Sequence, residues 1–306
     1  TIQPGATVRP GETFTKTWRL RNNGNIRWNG GYAVAFEGGT LMDGPESIRM
    51  PQAEPTMSAS VSVVLTAPVL PGHYEATWRP RSPAGHAFGE AMPISFEVME
   101  TETYDMLRYL RGDGRAYDMR YTWGDGGVTR VQTQLEIDGA GERFYHVRDS
   151  KWVEYWFDQE YIYLGTSTAD SRRTYTETSH KGHTGGPWIP RHMALHTFFR
   201  RNPIITLRRK DNCQLVNRFS RISWIRLEAV HANVALPGGV VLENVAELAV
   251  FDDADGQPNE SPSERYLFAE AFGLVAWQGN RGHLVMTRAL EPGSVPDNLR
   301  ETVRCP

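Results

Sequence analysis

From position 13 to position 20 the apolar side chains fall on alternate residues: Phe14, then Trp18 and Leu20, with Lys16 as the exception. Thr13, Thr15, Thr17 and Arg19 take the other parity. A period of two predicts a half-buried strand. Pro10-Gly11 makes a turn before it. Asn22-Asn23-Gly24 supplies residues that tolerate positive φ, so the chain is expected to reverse there before Ile26 and Trp28 resume the apolar face. Two tryptophans on paired strands read as core, because each buries a large apolar area. Further strands are expected over 31–36, 58–65, 75–79 and 94–98. Thr66-Ala67-Pro68, Pro71-Gly72 and Phe88-Gly89 punctuate them. Short strands with regular turn signals predict a β-sandwich. Residues 99–103 are polar and aperiodic, which places a boundary between a domain over 1–100 and a β-rich domain over 104–306.

The second part opens with Tyr104, Leu107 and Leu110 at helical spacing, which reads either as a short helix over 104–111 or as the lead-in to the second domain. From residue 116 the pattern is mostly strand: 117–123, a hairpin at 124–127, then 128–137, 143–147, 151–157, 161–164 and 174–178. Residues 180–191, with three glycines and two prolines, read as a loop. A helix is expected over 192–201, ended by Asn202-Pro203. Strands follow over 204–208, 222–227, 240–242 and 245–250. An acidic, proline-containing loop spans 252–263, and the last strands lie in 265–277 and 283–287. The expected fold class is mainly all-β. The larger second domain would be an antiparallel curved sheet, a half-barrel or a second sandwich, with one or two short helices in all.

The stretch over 10–28, PGETFTKTWRLRNNGNIRW, with Trp18, Trp28 and Trp78 and with Gly11, Gly24, Gly72 and Gly89, resembles the NBR1-like central domain. That family is also called the four-tryptophan or FW domain. The resemblance covers the first third of the chain. It implies an immunoglobulin-like sandwich used for protein binding rather than catalysis. In eukaryotic members this domain helps recruit cargo proteins in selective autophagy, and similar domains occur in bacterial proteins. The family's fourth tryptophan is expected shortly after Phe88-Gly89, where this chain has Met92. A methionine fills comparable core space. The run over 264–277, ERYLFAEAFGLVAW, resembles a strand pair of bacterial lipoprotein-type β-domains.

Composition adds little to this picture. Hydrophobic residues make up 40% of the chain and charged residues 23%, as in soluble globular proteins. A net charge of −3 gives no basic field for nucleic acid. No apolar run approaches the ~20 residues that span a bilayer. The chain begins at Thr1, which reads as a trimmed start with an export signal or anchor removed. Cys213 and Cys305 either form one bridge or are unrelated thiols. A bridge would close a loop of roughly ninety residues, contribute on the order of 4 kcal/mol, and fit an exported protein, secreted or at the cell surface.

Candidate chemistry is sparse. His180, His183, His192 and His196 have metal-like spacing, but Met193 stands where a zinc protease needs its glutamate, and a solvated surface accounts for them. Asp252-Asp253-Ala254-Asp255-Gly256 fails the spacing of a calcium loop. No G-x-S-x-G or dinucleotide fingerprint occurs, and no cofactor is implied. Carboxylates such as Glu154, Asp158 and Glu177 carry no pairing signal. Arg200, Arg201, Arg208, Arg209 and Lys210 form a local basic patch, read as solvating a helix end and a strand edge in preference to contacting anionic partners. Trp152, Tyr155, Trp156, Tyr161, Tyr163 and Trp188 crowd together. On a strand Trp152, Glu154 and Trp156 share one face, while Val153, Tyr155 and Phe157 share the other. One face would line the core, and the second would either be buried too or line a ligand cleft. The expected function is a non-catalytic binding protein with a protein partner and a possible glycan ligand. Alternatives are a carrier of a lipid or other apolar molecule and, third, a hydrolase.

Overall fold

The computed structural model describes residues 2–121, 126–138, 141–179, 185–237, 239–280, 282–291 and 300–302. The chain divides into two compact units, 1–102 and 103–306.

Unit 1 is a sandwich of β1 (Ala6–Val8), β2 (Thr13–Arg21), β3 (Ala33–Gly39), β4 (Ser47–Arg49), β5 (Ser58–Thr66), β6 (Gly72–Arg81) and β7 (Met92–Val98). Five strands form one layer in the order β1-β7-β6-β3-β4, and β2 pairs with β5 in the other. The alternation of β5 is literal: Ala59, Val61, Val63 and Leu65 are buried and Ser58, Ser60, Ser62 and Val64 are exposed. Lys16, the polar residue on the apolar parity of β2, is buried at 9% exposure and donates its ammonium hydrogen to the Ile2 carbonyl (3.0 Å). Its alkyl stem continues the apolar face while its head satisfies the N-terminal segment.

The bend at Asn22-Asn23-Gly24 corrects one expectation. None of the three takes positive φ. The buried Asn22 side chain makes the turn instead. Its Oδ1 accepts from Gly24 N (3.1 Å), and its Nδ2 donates to Ile26 O (2.9 Å) and Ala53 O (3.0 Å). A local Asx bond supplies here what backbone strain would have supplied. Trp28 is likewise not on a strand paired with that of Trp18. It forms an isolated bridge with Ala53.

Unit 2 begins with β8 (Tyr104–Asp105) and α1 (Leu107–Arg111), a single turn of helix where the spacing allowed two. The strands then run β9 (Ala116–Tyr121), β10 (Val128–Asp138), β11 (Gly141–Arg148), β12 (Lys151–Phe157), β13 (Tyr161–Ser167), β14 (Arg173–Thr178), β15 (Gly186–Pro190), β16 (His192–Met193), β17 (Phe198–Arg201), β18 (Ile204–Arg209), β19 (Leu215–Ser220), β20 (Ser223–Ala235), β21 (Val241–Ala254), β22 (Gln257–Pro258), β23 (Glu264–Ala269), β24 (Gly273–Gly279) and β25 (Gly282–Ala289). All but β16, which pairs with β8, join one antiparallel sheet, β17-β20-β21-β23-β24-β25-β9-β10-β11-β12-β13-β14-β18-β19, with β15 beside β13 and β22 beside β21, so the fold is all-β with an immunoglobulin-like unit and a large antiparallel unit.

The sheet curls. β15 pairs with the first half of β13 and also touches β17, which pairs with β20. Side chains from α1, β11, β12, β13, β15, β20, β21 and β23 then meet in one core: Leu110, Phe144, Tyr155, Ile162, Trp188, Ile225, Leu248 and Phe268. Gly273 is where α1 docks. It takes φ +78°, and a Cβ there would lie 2.9 Å from the Leu110 carbonyl and 3.3 Å from His146 Nε2.

The helix expected over 192–201 does not form. Those residues make β16 and β17, joined through His196 at φ 62°. Pairing of Phe198–Arg201 with β20 outweighed a weak helical period. The expected loop over 252–263 is shorter than read: β21 continues to Ala254 and turns back into β22. Residues 124 and 125 of the expected hairpin lie outside the described residues.

Candidate binding surfaces

The tryptophans of unit 1 are structural. Trp78 is fully buried in β6, with Trp18 at 6.2 Å and Phe36 at 5.7 Å between ring centroids. Trp28 packs near Phe88 (6.3 Å), which Tyr32 meets edge-on at 5.8 Å. Met92, standing where the fourth tryptophan is expected, pairs directly with Trp78 across β6 and β7 and is buried. Gly11 and Gly89 take φ near +70° at the turns that deliver β2 and β7, a region that favours glycine. Gly72 opens β6, and Gly24 receives the Asn22 bond described above.

In unit 2 the aromatic set divides between the two faces of the sheet. Tyr155 and Trp188 are buried in the core, 5.4 Å apart, with Phe144 stacked on Tyr155 at 5.1 Å and Phe268 at 5.9 Å from Trp188. His146 lies 4.9 Å from the Tyr155 ring and shares a 2.7 Å hydrogen bond with the Leu110 carbonyl. Burial, the dominant cause, pulls its pKa down to about 4. Burial also raises the Tyr155 and Tyr266 hydroxyls, and the Tyr266 hydroxyl donates to Glu264. Rings and paired polar groups thus pack the centre of this curl.

Trp152, Trp156, Tyr161 and Tyr163 are partly exposed. Trp156 stacks on Tyr163 at 3.7 Å with planes 4° apart. Gly185 crowds the Trp156 ring, and a Cβ there would approach Nε1 to 2.4 Å. Tyr163 donates its hydroxyl hydrogen to Asp158 (2.7 Å). Tyr161 lies 6.0 Å from Tyr163 and 5.8 Å from Phe199. Trp152 meets Tyr145 edge-on at 5.4 Å. A C-terminal strap crosses this pair: Arg300 lies over the Tyr145 ring at 3.8 Å, and Trp152 Nε1 donates to Glu301 O (3.0 Å). Glu301 N donates to Ser150 O (2.7 Å), and Lys210 Nζ donates to Glu301 Oε1 (2.6 Å). The sequence reading missed this strap, because no local pattern marks where a chain end docks.

The other candidates among the described residues have structural partners. His192 pairs with Asp105 in β16 and His196 sits in a turn, so they share no helix face, and His180 and His183 lie outside the described residues. Among the described residues no group of three His, Cys, Asp or Glu could hold a metal ion. Glu154 accepts from Arg143 (2.6 Å) and from Thr166 N (3.1 Å). Asp158 caps Glu160 N and Tyr161 N. Glu177 is buried against Arg201, and burial raises its pKa even beside that arginine. Asp252 pairs with Arg221 (2.9 Å), and Asp253 accepts from Trp224 Nε1 (2.8 Å).

The basic patch is not a patch, and no helix ends there. Arg201 points inward, Arg208 binds Cys213 O (3.1 Å), and Lys210 holds the strap. Cys213 is disulfide-bonded at φ 61°, and Cys305 lies outside the described residues. An open cleft of about 610 Å³ beside α1 is lined by both charge signs, including Arg108, Arg191, Glu243 and Glu270. Arg108 is bound to Glu270 and Arg191 to Asp105.

Residues 1–98 match the protein family described as Ig-like domain from next to BRCA1 gene. The chain is similar to Protein ILRUN of Danio rerio, 31% identical over 100 residues that make up 33% of this chain and 35% of that protein. It is similar to Protein JOKA2 of Solanum tuberosum, 32% identical over 101 residues, 32% of this chain and 12% of that protein. It is also similar to Next to BRCA1 gene 1 protein of Mus musculus, 34% identical over 115 residues, 37% of this chain and 12% of that protein. The chain therefore spans about a third of the first relative's length and about an eighth of the other two. All three are eukaryotic. Unit 1 is an Ig-like domain of the kind found in next to BRCA1 gene proteins and ILRUN.

Proposed function

We propose that this chain is a non-catalytic binding protein whose Ig-like unit recognises a protein partner, and that it works outside the cytoplasm, secreted or at the cell surface. The observation that carries the reading is the match of residues 1–98 to an Ig-like domain. The chemistry of unit 2 supports it, since Glu154 is bound to Arg143, Glu177 to Arg201 and Asp158 to backbone N–H groups. The disulfide at Cys213 supports an oxidising compartment. Photo-cross-linkers placed at exposed positions of unit 1 (Arg49, Glu75) and of unit 2 (Arg218, Glu243) test the reading. A protein captured from unit 1 positions is expected. Capture from unit 2 positions alone would sink it.

A second reading gives unit 2 a glycan ligand at its half-exposed aromatic strip. The stacked Trp156–Tyr163 pair favours it over an apolar carrier, whose ligand would need the space that Phe144, Tyr155, Trp188 and Phe268 fill. Titrating tryptophan fluorescence with polysaccharides and with fatty acids separates these ligands, and a response that persists in Trp156→Ala removes the strip from consideration.

A further inference from the structure

The two-stranded layer of unit 1 has two edges. Register runs unbroken from the Thr13–Thr66 pair to the Arg21–Ser58 pair. At its ends Ala67 N donates to Glu12 O (2.8 Å) and Asn22 N donates to Met57 O (2.8 Å). Bonded pairs recur at every second residue of an antiparallel ladder, so the odd-numbered residues of β5 bond β2. The N–H and C=O groups of Ser58, Ser60, Ser62 and Val64 therefore point outward. Thr66, next in that series, gives its N–H to Met42 O (2.8 Å). Before Thr66, no described residue pairs with this edge.

The two edges differ in their protection. That of β2 carries exposed Arg19 and Arg21, and the Ile2 segment approaches it at Lys16. The β5 strand, SASVSVVLT, has no charge, no proline and no bulge. Its exposed side chains are three serines and Val64, 38% exposed, with Met57 at 59% just before it. Soluble proteins normally guard such an edge with charge, proline or a bulge, because it templates strand pairing.

We propose that the β5 edge docks an extended, uncharged segment of a partner protein as an added antiparallel strand. The proposal rests on the reading of unit 1 as a protein-recognising module. Main-chain hydrogen bonds supply the affinity in this mode, and alternate side chains supply the selection. Here the flanking side chains are small and neutral, so a charged segment gains no counter-ion from β5, while an alternating hydroxyl and β-branched segment matches its profile. A second copy of the chain is the less suitable occupant. Pairing of so short an edge covers far less than the roughly 1,200 Å² of a stable interface.

The probe is a labelled peptide of alternating threonine and valine with a lysine at each end, titrated into the intact protein and followed by anisotropy and amide NMR. Binding is expected to shift the amides of Ser58, Ser60, Ser62 and Val64. It is expected to weaken at least about tenfold in Ser62→Pro and in Ser60→Lys. Proline at 62 removes an outward N–H and leaves the β2 ladder intact, and unchanged thermal midpoints confirm that both variants fold. Equal binding by the variants, shifts elsewhere or no binding overturns the proposal. So does a concentration-dependent dimer that Ser62→Pro abolishes, which would assign the edge to a second copy. The cross-linking experiment, repeated on Ser62→Pro, separates the two levels. Unit 1 capture retained in the variant removes the edge and keeps protein recognition. Peptide binding without unit 1 capture in the wild type removes the recognition reading and keeps the edge.

Discussion

Burial holds the His146 imidazole well below its ordinary pKa. It is enclosed by Phe144, Tyr155 and Phe268 and bonded to the Leu110 carbonyl, and its pKa falls from 6.5 to about 4. The native protein refuses a proton that the unfolded chain accepts. The stabilisation is therefore whole above pH 6.5 and is lost progressively as pH falls toward about 4. Its size is on the order of 3 kcal/mol. Thermal midpoints of the wild type are expected to drop across that window, and the drop is expected to shrink in His146→Phe; an identical profile would assign the acid lability elsewhere. Lys16 was visible in the sequence only as a fault in an alternating pattern, because its reason, the Ile2 carbonyl, comes from outside the strand.

At the scale of elements, the C-terminal strap and the β18–β19 turn belong together. Lys210 binds Glu301 just before Cys213, and Cys305 lies a few residues beyond Glu301. Removal of residues 300–306 is expected to uncover Tyr145 and Trp152, and acrylamide quenching of tryptophan fluorescence should rise. Unchanged quenching would mean that the strap does not shield them. The Cys213–Cys305 pairing is read by peptide mapping under non-reducing conditions, where a single linked peptide is expected. Cys213→Ser should then cost about 4 kcal/mol in denaturant unfolding. Alternation made β5 plain at this scale, since every second residue faces the core. The same scale misled at 192–201, where a helical period was present but the partner strand β20 took the segment.

At the scale of the molecule, each unit has its own hydrophobic packing, unit 1 around Trp78 and unit 2 around Phe144, Trp188 and Phe268, with further clusters around Tyr117 and Phe251. Two unfolding transitions are expected by calorimetry. Trp78→Ala should remove about 3–5 kcal/mol from one of them, and Ile225→Ala should lower the other. A single transition moved equally by both would show that the units unfold together.

The sequence by itself determined the strand content and the Ig-like character of the first third. These are carried by period-two burial, by turn residues and by tryptophans at motif spacing, all local properties. Tertiary structure alone decided that Tyr155 and Trp188 turn inward while Trp156 and Tyr163 stack on the other face. It also decided that Glu177 and Arg201 neutralise each other in the interior, and that no described residue pairs with the β5 edge before Thr66. Each depends on which distant strand becomes a neighbour, and a strand's own pattern states which residues are apolar without naming the surface that will cover them.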